Sequence, residues 1–316
     1  LNPTTILRTK NGPILVVGSA GQVGFELVRT LSGLGPIVSL DRTALSLDDP
    51  AALRAVVASV RPSIIVNAAA YTAVDRAETD AEAAKAVNAD APAILSECAN
   101  GIGAGLIHYS TDYVFSGDRP WHAHETGYRE SDATGPLNVY GKTKLLGEQA
   151  VVGIARRHLV LRTSWVYGMR GKNFLLTMLR LARERDELKV VADQYGAPTW
   201  SRTIATLTGH ILAQKAVVGT DADDWWAQKS GIYHLTAAGV TTWADFASEI
   251  FRLAIPDVER RPKVTRIASS EYPTTVVRPL NSVLCNDKLR TQFYLNPPAW
   301  QEALALCLNE GMTPGA

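Results

Sequence analysis

Only three cysteines, Cys98, Cys285 and Cys307, are spread over 316 residues. An odd number so far apart, without a C-x-x-C pair, excludes a disulfide framework and a thiolate metal centre of recognised spacing. It fits a reduced, cytoplasmic chain. Charge of one sign is equally scarce, because 32 basic residues against 31 acidic ones leave a formal net charge of +1. That balance supports neither a nucleic-acid-binding face nor a polybasic membrane tether, and leaves a small anionic ligand open. Long apolar runs are missing too: none approaches the ~20 residues that span a bilayer. Residues 1–13 have no apolar core of a signal peptide and are read as a disordered or expression-derived tail. What the chain does have is 46% hydrophobic residues, enough for one large or two modest cores.

Those residues come in short blocks. PILVVG over 13–18 reads as a strand buried on both faces, and GSAGQVG places glycines at Gly18, Gly21 and Gly24 before a helical period over 22–34. A strand, a glycine-rich turn and a helix in this order can seat a pyrophosphate on the helix's unpaired amides. The spacing G-x-x-G-x-x-G is not G-x-G-x-x-G, and an ordinary tight turn would also use it. A second strand, PIVSL over 36–40, ends at Asp41, where an acid would meet an adenine ribose, and Arg42 follows, where a guanidinium would meet a 2′-phosphate. NAD and NADP both stay open. SIIVN over 63–67 is a third strand, with Ala68, Ala69 and Ala70 at its carboxyl end and a loop beginning at Tyr71, Thr72 and Val74. After an alanine-rich helical stretch over 80–100, GLIHYS over 105–110 leads to Thr111, Asp112 and Tyr113. A long polar connection over 116–137 and a strand, HLVLR over 158–162, complete a doubly wound parallel α/β sheet of the Rossmann type, over 14–165. Less regular α/β patterning over 166–316 reads as a smaller second domain, with segments returning to the first. His122, His124 and Glu125 lack a third partner at a metal-binding spacing and are read as polar loop, and His108 as a core residue.

The segment PLNVYGKTKLLGE over 136–148 sets Tyr140 and Lys144 four residues apart in a helical pattern, hence on one helical face. A phenol of pKa near ~10 donates a proton poorly at neutral pH unless a cation stabilises its anion. Lys144 is placed to do so.

The phrases GQVG, VNAAAYTAVDRAE, HYSTDYVFSG, PLNVYGKTKLLGE, RTSWVYG and DQYGAPT, in this order, resemble the extended short-chain dehydrogenase/reductase family. The resemblance covers nearly everything from Ile14 onward, and implies a Rossmann-type NAD(P)-binding domain over 14–165 and a substrate-binding domain over 166–316. It implies NADPH- or NADH-dependent reduction of the 4-keto group of a dTDP-sugar, dTDP-4-dehydro-β-L-rhamnose. Its Ser/Thr-Tyr-Lys triad falls on Thr111, Tyr140 and Lys144. Cofactor contacts fall on Gly18, Gly21, Gln22, Val23, Gly24, Asp41, Arg42, Ala68, Ala69 and Ala70, together with Tyr140 and Lys144. Sugar-nucleotide contacts fall on Thr72, Val74, Asp112, Tyr113, Trp165 and Arg278. The residue chemistry agrees: Tyr140 as proton donor, Thr111 on the same oxygen, Lys144 on the ribose, Trp165 as a flat apolar surface and Arg278 as a diphosphate clamp.

Two positions depart from the family's pattern. Ser46-Leu47 stands where an Asp-hydrophobic pair commonly contacts adenine. Some members hold magnesium between subunits on three glutamates, and here those positions are Glu26, Glu310 and Arg202. An arginine has no lone pair to give, so a metal-free protein is expected, with Arg202 paired across a homodimer to Glu26 or Glu310, or exposed. The alternatives are a related nucleotide-sugar epimerase or dehydratase, and a non-catalytic NADP-binding regulatory subunit like that of methionine adenosyltransferase.

Overall fold

Each short apolar block becomes a buried strand, and each periodic stretch after it a helix. The computed structural model describes residues 12–121, 127–217, 222–272 and 274–311. The chain opens with β1 (Ile14–Val17), α1 (Gln22–Leu31), β2 (Ile37–Leu40), α2 (Pro50–Val60) and β3 (Ile64–Asn67). A short helix α3 (Val74–Ala77), α4 (Ala81–Lys85), a π-helical turn over Ala86–Asp90 and α5 (Ala91–Ile102) lead to β4 (Gly105–Thr111). α6 (Val139–Ile154) and β5 (His158–Thr163) follow the long connection. In the six-stranded sheet β5, β4, β3, β1 and β2 lie side by side in that order, and the strand Gly231–His234 pairs with β5 at the edge. β2, β1, β3 and β4 run parallel.

The reason for the all-apolar strands is coverage on both faces. Leu15, Val17, Ile65 and Leu106 meet Leu53 and Val57 of α2 and Leu95 of α5, all within 2% of complete burial. Burying one such side chain contributes about 1.5–3 kcal/mol. The order β2-β1-β3 places a topological switch at β1, and the carboxyl ends of β1 and β3 are where such sheets bind ligands.

The contacts divide the chain into two interleaved units. The first takes the chain up to Thr111, Asn138–Arg162 and Ala205–Tyr233; the second takes Asp112–Leu137, Thr163–Ile204 and the chain from His234 on. Gly12 and Pro13 are tied into the first unit, since Ser63 donates from Oγ to Gly12 O (2.7 Å) and from its amide to Pro13 O (2.9 Å).

The remaining elements are β6 (Val166–Tyr167), α7 (Phe174–Leu181), β7 (Glu187–Val191), β8 (Tyr195–Gly196), β9 (Thr199–Trp200), α8 (Ser201–Val217), α9 (Ala222–Lys229), β10 (the sheet-edge strand Gly231–His234), β11 (Thr241–Thr242), α10 (Trp243–Ala254), β12 (Lys263–Ile267), α11 (Asp287–Phe293) and α12 (Trp300–Gly311). Within the second unit β7 pairs with β12 and β6 with β9 in parallel, and β8 with β11 antiparallel. Its core gathers Tyr167, Leu175, Phe246, Ile250, Phe251, Trp300 and Leu304. The connection over 116–137 carries no helix or strand among its described residues. It is braced by Phe115 stacked on Tyr128 (centroids 4.3 Å), by Arg119 over the Tyr128 ring, and by an Arg119–Asp132 ion pair (2.7 Å). His122, His124 and Glu125 lie outside the described residues.

Candidate active site

The glycine turn is built around one close approach and one open end. Gly18 has φ +82, and a Cβ there would lie 2.7–2.8 Å from Ala69, so the turn after β1 packs directly against the run after β3. Gly24 sits so near Gly18 that a Cβ would come within 2.1 Å of Gly18 O. Gly21, exposed, is the N-cap of α1 and supplies no side-chain hydrogen bond to the helix's leading amides. Those amides, the helix dipole and the bare backbone fit a pyrophosphate. Gln22 and Val23 open the helix beside it, half-buried, as are Ala68, Ala69 and Ala70.

At the end of β2, Asp41 folds back on its own turn. Its Oδ1 accepts from Thr43 Oγ1 (2.6 Å), Thr43 N (2.9 Å) and Ala44 N (3.1 Å), and these hydrogen bonds hold its carboxyl below the usual range. Arg42 is exposed. At the departure from the family's adenine contact, Ser46 turns its hydroxyl to Asp48, and Leu47 is drawn into the core of the first unit.

The residues expected to form the Thr-Tyr-Lys set are carried by α6 and β4. Asn138 caps α6, accepting at Oδ1 from Gly141 N (2.8 Å), while Glu78 accepts the Val139 amide (2.8 Å). Tyr140 is thereby fixed in the first turn, half-buried, with Lys144 one turn on and 2% exposed. Lys144 Nζ donates to Tyr109 O on β4 at 2.6 Å and lies 3.5 Å from His108 Nε2. Thr111, buried, stands two residues further along β4. Burial pulls Lys144 down to about 8, against the opposing pull of Glu148 one turn further along α6. His108 is driven well below the ordinary histidine value, by burial and then by the charge of Lys144. It is a core residue with a partner, Asn67 Nδ2 at 3.2 Å from its Nδ1.

Several buried polar residues around this set carry no local signature in the sequence. Glu148 and Arg162 form a two-point ion pair (2.9 and 2.7 Å) with side chains 1% and 2% exposed. The one available signal was an arginine closing the apolar strand HLVLR. Asn88, wholly buried on the π-helical turn, accepts from Tyr71 N (2.8 Å) and donates to Tyr71 O and Thr143 Oγ1 (both 3.1 Å). It thereby ties the loop holding Thr72 to α6. Gly147 makes that approach feasible, since a Cβ there would reach within 2.0 Å of Asn88 O. Thr72 is exposed, and Val74, expected in the loop, instead begins α3.

The other expected substrate residues belong to the second unit. Asp112, 2% exposed, and Tyr113 form a 3-10 turn directly after β4. Arg278 is half-buried in the loop before α11. Trp165 has φ +46, and its indole stacks on Trp243, with centroids 3.6 Å apart and planes 6° apart. One face of the ring expected to meet a ligand is therefore already occupied by a tryptophan that sequence spacing did not single out.

Among the described residues no group of three or more His, Cys, Asp or Glu is placed to hold a metal ion, and no helix is long and apolar enough to cross a membrane. Arg202 pairs with Glu310 of its own chain. The family model described as the RmlD substrate binding domain matches residues 12–313. The chain belongs to the RmlD family. A family member named dTDP-4-dehydrorhamnose reductase, from Burkholderia thailandensis, is 45% identical over 94% of this chain and 98% of its own. The Escherichia coli K12 protein of the same name is 44% identical over 96% and 99%. Among solved structures, the Bacillus anthracis dTDP-4-dehydrorhamnose reductase in complex with NADP superposes with a TM-score of 0.83 at 33% identity, covering 95% of this chain and 99% of the other. The glycine turn and the Tyr140–Lys144 helix are thus parts of an RmlD-family chain matched over nearly its whole length.

Proposed function

We propose that this chain is an NADPH-dependent dTDP-4-dehydrorhamnose reductase, converting the 4-keto group of dTDP-4-dehydro-β-L-rhamnose to the alcohol of dTDP-L-rhamnose. The observation that carries the reading is the buried Lys144, held by Tyr109 O on β4 one helical turn from Tyr140. A lysine is seldom buried without a task that needs its charge.

Bound NADPH supplies the hydride. The protein's own residues do the rest. Gly18, Gly21, Gln22, Val23 and Gly24 receive the pyrophosphate on the amides of α1, Arg42 receives the 2′-phosphate, and Ala68, Ala69 and Ala70 leave room beside the carboxyl end of β3. Asp41, bound into its own turn, shapes that end of the site. Lys144 holds the nicotinamide ribose and stabilises the tyrosinate left when Tyr140 gives its proton to the ketone oxygen. Thr111 donates to the same oxygen and keeps the carbonyl in place. Thr72, Val74, Asp112, Tyr113 and Trp165 contact the sugar nucleotide, and Arg278 its diphosphate. NADH serves as a weaker donor, since Arg42 is the residue that distinguishes the two. We place the reaction in the cytoplasm, and the three free thiols accord with a reducing compartment.

Tyr140→Phe keeps the ring and removes the donor. Turnover should fall by ~10²–10⁴ with little change in NADPH affinity. Near-normal turnover would remove Tyr140 from the reaction. NADPH binding that survives alongside a complete absence of turnover in the unaltered protein would favour the regulatory-subunit alternative.

A further inference from the structure

We propose that Trp243, Gln194 and Gly196 are positioning residues that hold the indole of Trp165 where the nucleotide sugar meets it. The proposal rests on the reading of Trp165 as a substrate contact.

A left-handed backbone at a residue as bulky as tryptophan persists only where its surroundings enforce it, and such residues cluster at ligand-binding positions. At Trp165 the enforcement is visible on every side. Its carbonyl accepts from Thr199 N (3.3 Å), and the hydroxyl of Ser164 donates to Ala197 O (2.8 Å), so the backbone is pinned before and after the strained φ of +46. Gly196 lies against the ring: a Cβ there would come within 2.4–2.7 Å of Trp165 Cε2, Cζ2 and Nε1.

The stack on Trp243 sets the plane. Trp243 cannot rotate freely, because its indole N–H, a donor only, is given to Gln194 Oε1 at 3.2 Å. Gln194 is nine-tenths buried, and its own amide is oriented by its other end: Nε2 donates to Ser269 Oγ (3.0 Å), and Ser269 Oγ donates to Asp193 Oδ1 (2.6 Å). The Ser269 amide donates to both oxygens of Asp193 (2.9 Å each). A directed chain therefore runs Asp193, Ser269, Gln194, Trp243, ending on the face of Trp165. Phe174, tilted at 4.6 Å from Trp243, fills the space beside it. The segment DQYGAPT supplies three of these roles within four residues, at Asp193, Gln194 and Gly196. Packing against the ring accounts for the glycine, but core packing alone does not require the hydrogen-bond chain.

The test is steady-state kinetics with NADPH and dTDP-4-dehydro-β-L-rhamnose on Trp243→Leu and Gly196→Ala, each alone and combined with Trp165→Ala. Alone, each should raise the sugar-nucleotide KM about 5- to 50-fold, within the range of coupling between contacting residues, with kcat and the NADPH Kd within about twofold. Trp243→Phe, which keeps a flat ring but not the N–H, should recover part of the loss. In the Trp165→Ala background neither substitution should raise KM further, because the ring they act on is gone. Additive effects in that background, or an unchanged KM for both single variants, would overturn the proposal. Should Trp243→Leu lose NADPH binding as well, it has damaged the fold, and Gly196→Ala, which adds one methyl, decides alone. An unchanged KM in Trp165→Ala itself overturns both the contact and this proposal, while the reductase reading stands or falls separately on Tyr140→Phe.

Discussion

At Asp41 and Arg42 two adjacent side chains point to different cofactors. An acid at the end of the second strand of a Rossmann sheet ordinarily meets the ribose hydroxyls of NAD. Asp41 instead spends Oδ1 on three hydrogen bonds to Thr43 and Ala44, so holding a ribose with that oxygen would mean giving up bonds it already has. Arg42 is exposed and carries the group that suits a 2′-phosphate. Both cofactors should serve, and Arg42→Ala should weaken NADPH selectively. A charge-assisted contact contributes about 1.5–3 kcal/mol, so the ratio of the two dissociation constants should move by roughly ten- to a hundredfold. Equal losses for NADH and NADPH, measured by fluorescence titration, would mean that Arg42 does not read the phosphate.

At the scale of the element, α6 carries a stripe of Tyr140, Lys144 and Glu148, each one turn from the last. The first two were legible in the sequence, because an i, i+4 pair is local and helical geometry alone brings it to one face. Glu148 was not, since its partner Arg162 comes from β5, and a glutamate on a helix ordinarily faces water. The same distinction runs through the fold. The strands β1 to β5 announce themselves as apolar blocks, and the turn at Gly18 as glycines after a strand. The strand Gly231–His234, four residues with two only half-buried, has no such block, and the Trp165–Trp243 stack joins residues far apart in sequence. Glu148 has a measurable consequence. Lys144, at about 8 in the folded protein, is below the ~10.4 of a free lysine. Between those values the unfolded chain binds more protons than the folded one, so this group's contribution to stability improves as pH rises through that window. Its ammonium, however, is lost over the same rise, and NADPH affinity should decline above pH about 8. Glu148 supports that charge, so Glu148→Gln should move the inflection to lower pH. It should also cost about 3–5 kcal/mol in urea unfolding, because Arg162 is left buried without its counter-charge. Lys144→Met should abolish the inflection altogether. An inflection unmoved in Glu148→Gln would mean that the carboxylate does not act on Lys144.

For the whole molecule, the question is whether assembly or activity needs a divalent ion. The family resemblance sets Glu26, Glu310 and Arg202 at the places where some relatives use three glutamates around magnesium. Magnesium needs oxygen ligands at ~2.0–2.1 Å, and a guanidinium offers none. An interchain role for Arg202 is also unnecessary to balance its charge. Arg202 pairs with Glu310 of the same chain, the two side chains 38% and 45% exposed, and its guanidinium lies 5.1 Å from the centre of the Trp200 ring. An exposed pair of this kind contributes about 0–1 kcal/mol, so within one chain it is a local charge match. Treatment with EDTA should therefore leave both turnover and the molar mass from light scattering unchanged, whatever that mass is. Arg202→Glu should behave differently, since it sets a second carboxylate beside Glu310 and removes the cation that balanced it. If the resemblance assigns these positions correctly, added magnesium should raise that variant's thermal midpoint or its mass, with no effect on the unaltered protein. A dimer of the unaltered protein that EDTA dissociates and magnesium restores would show that Arg202 does not stand at the ligand position, and that oxygen ligands elsewhere hold the ion.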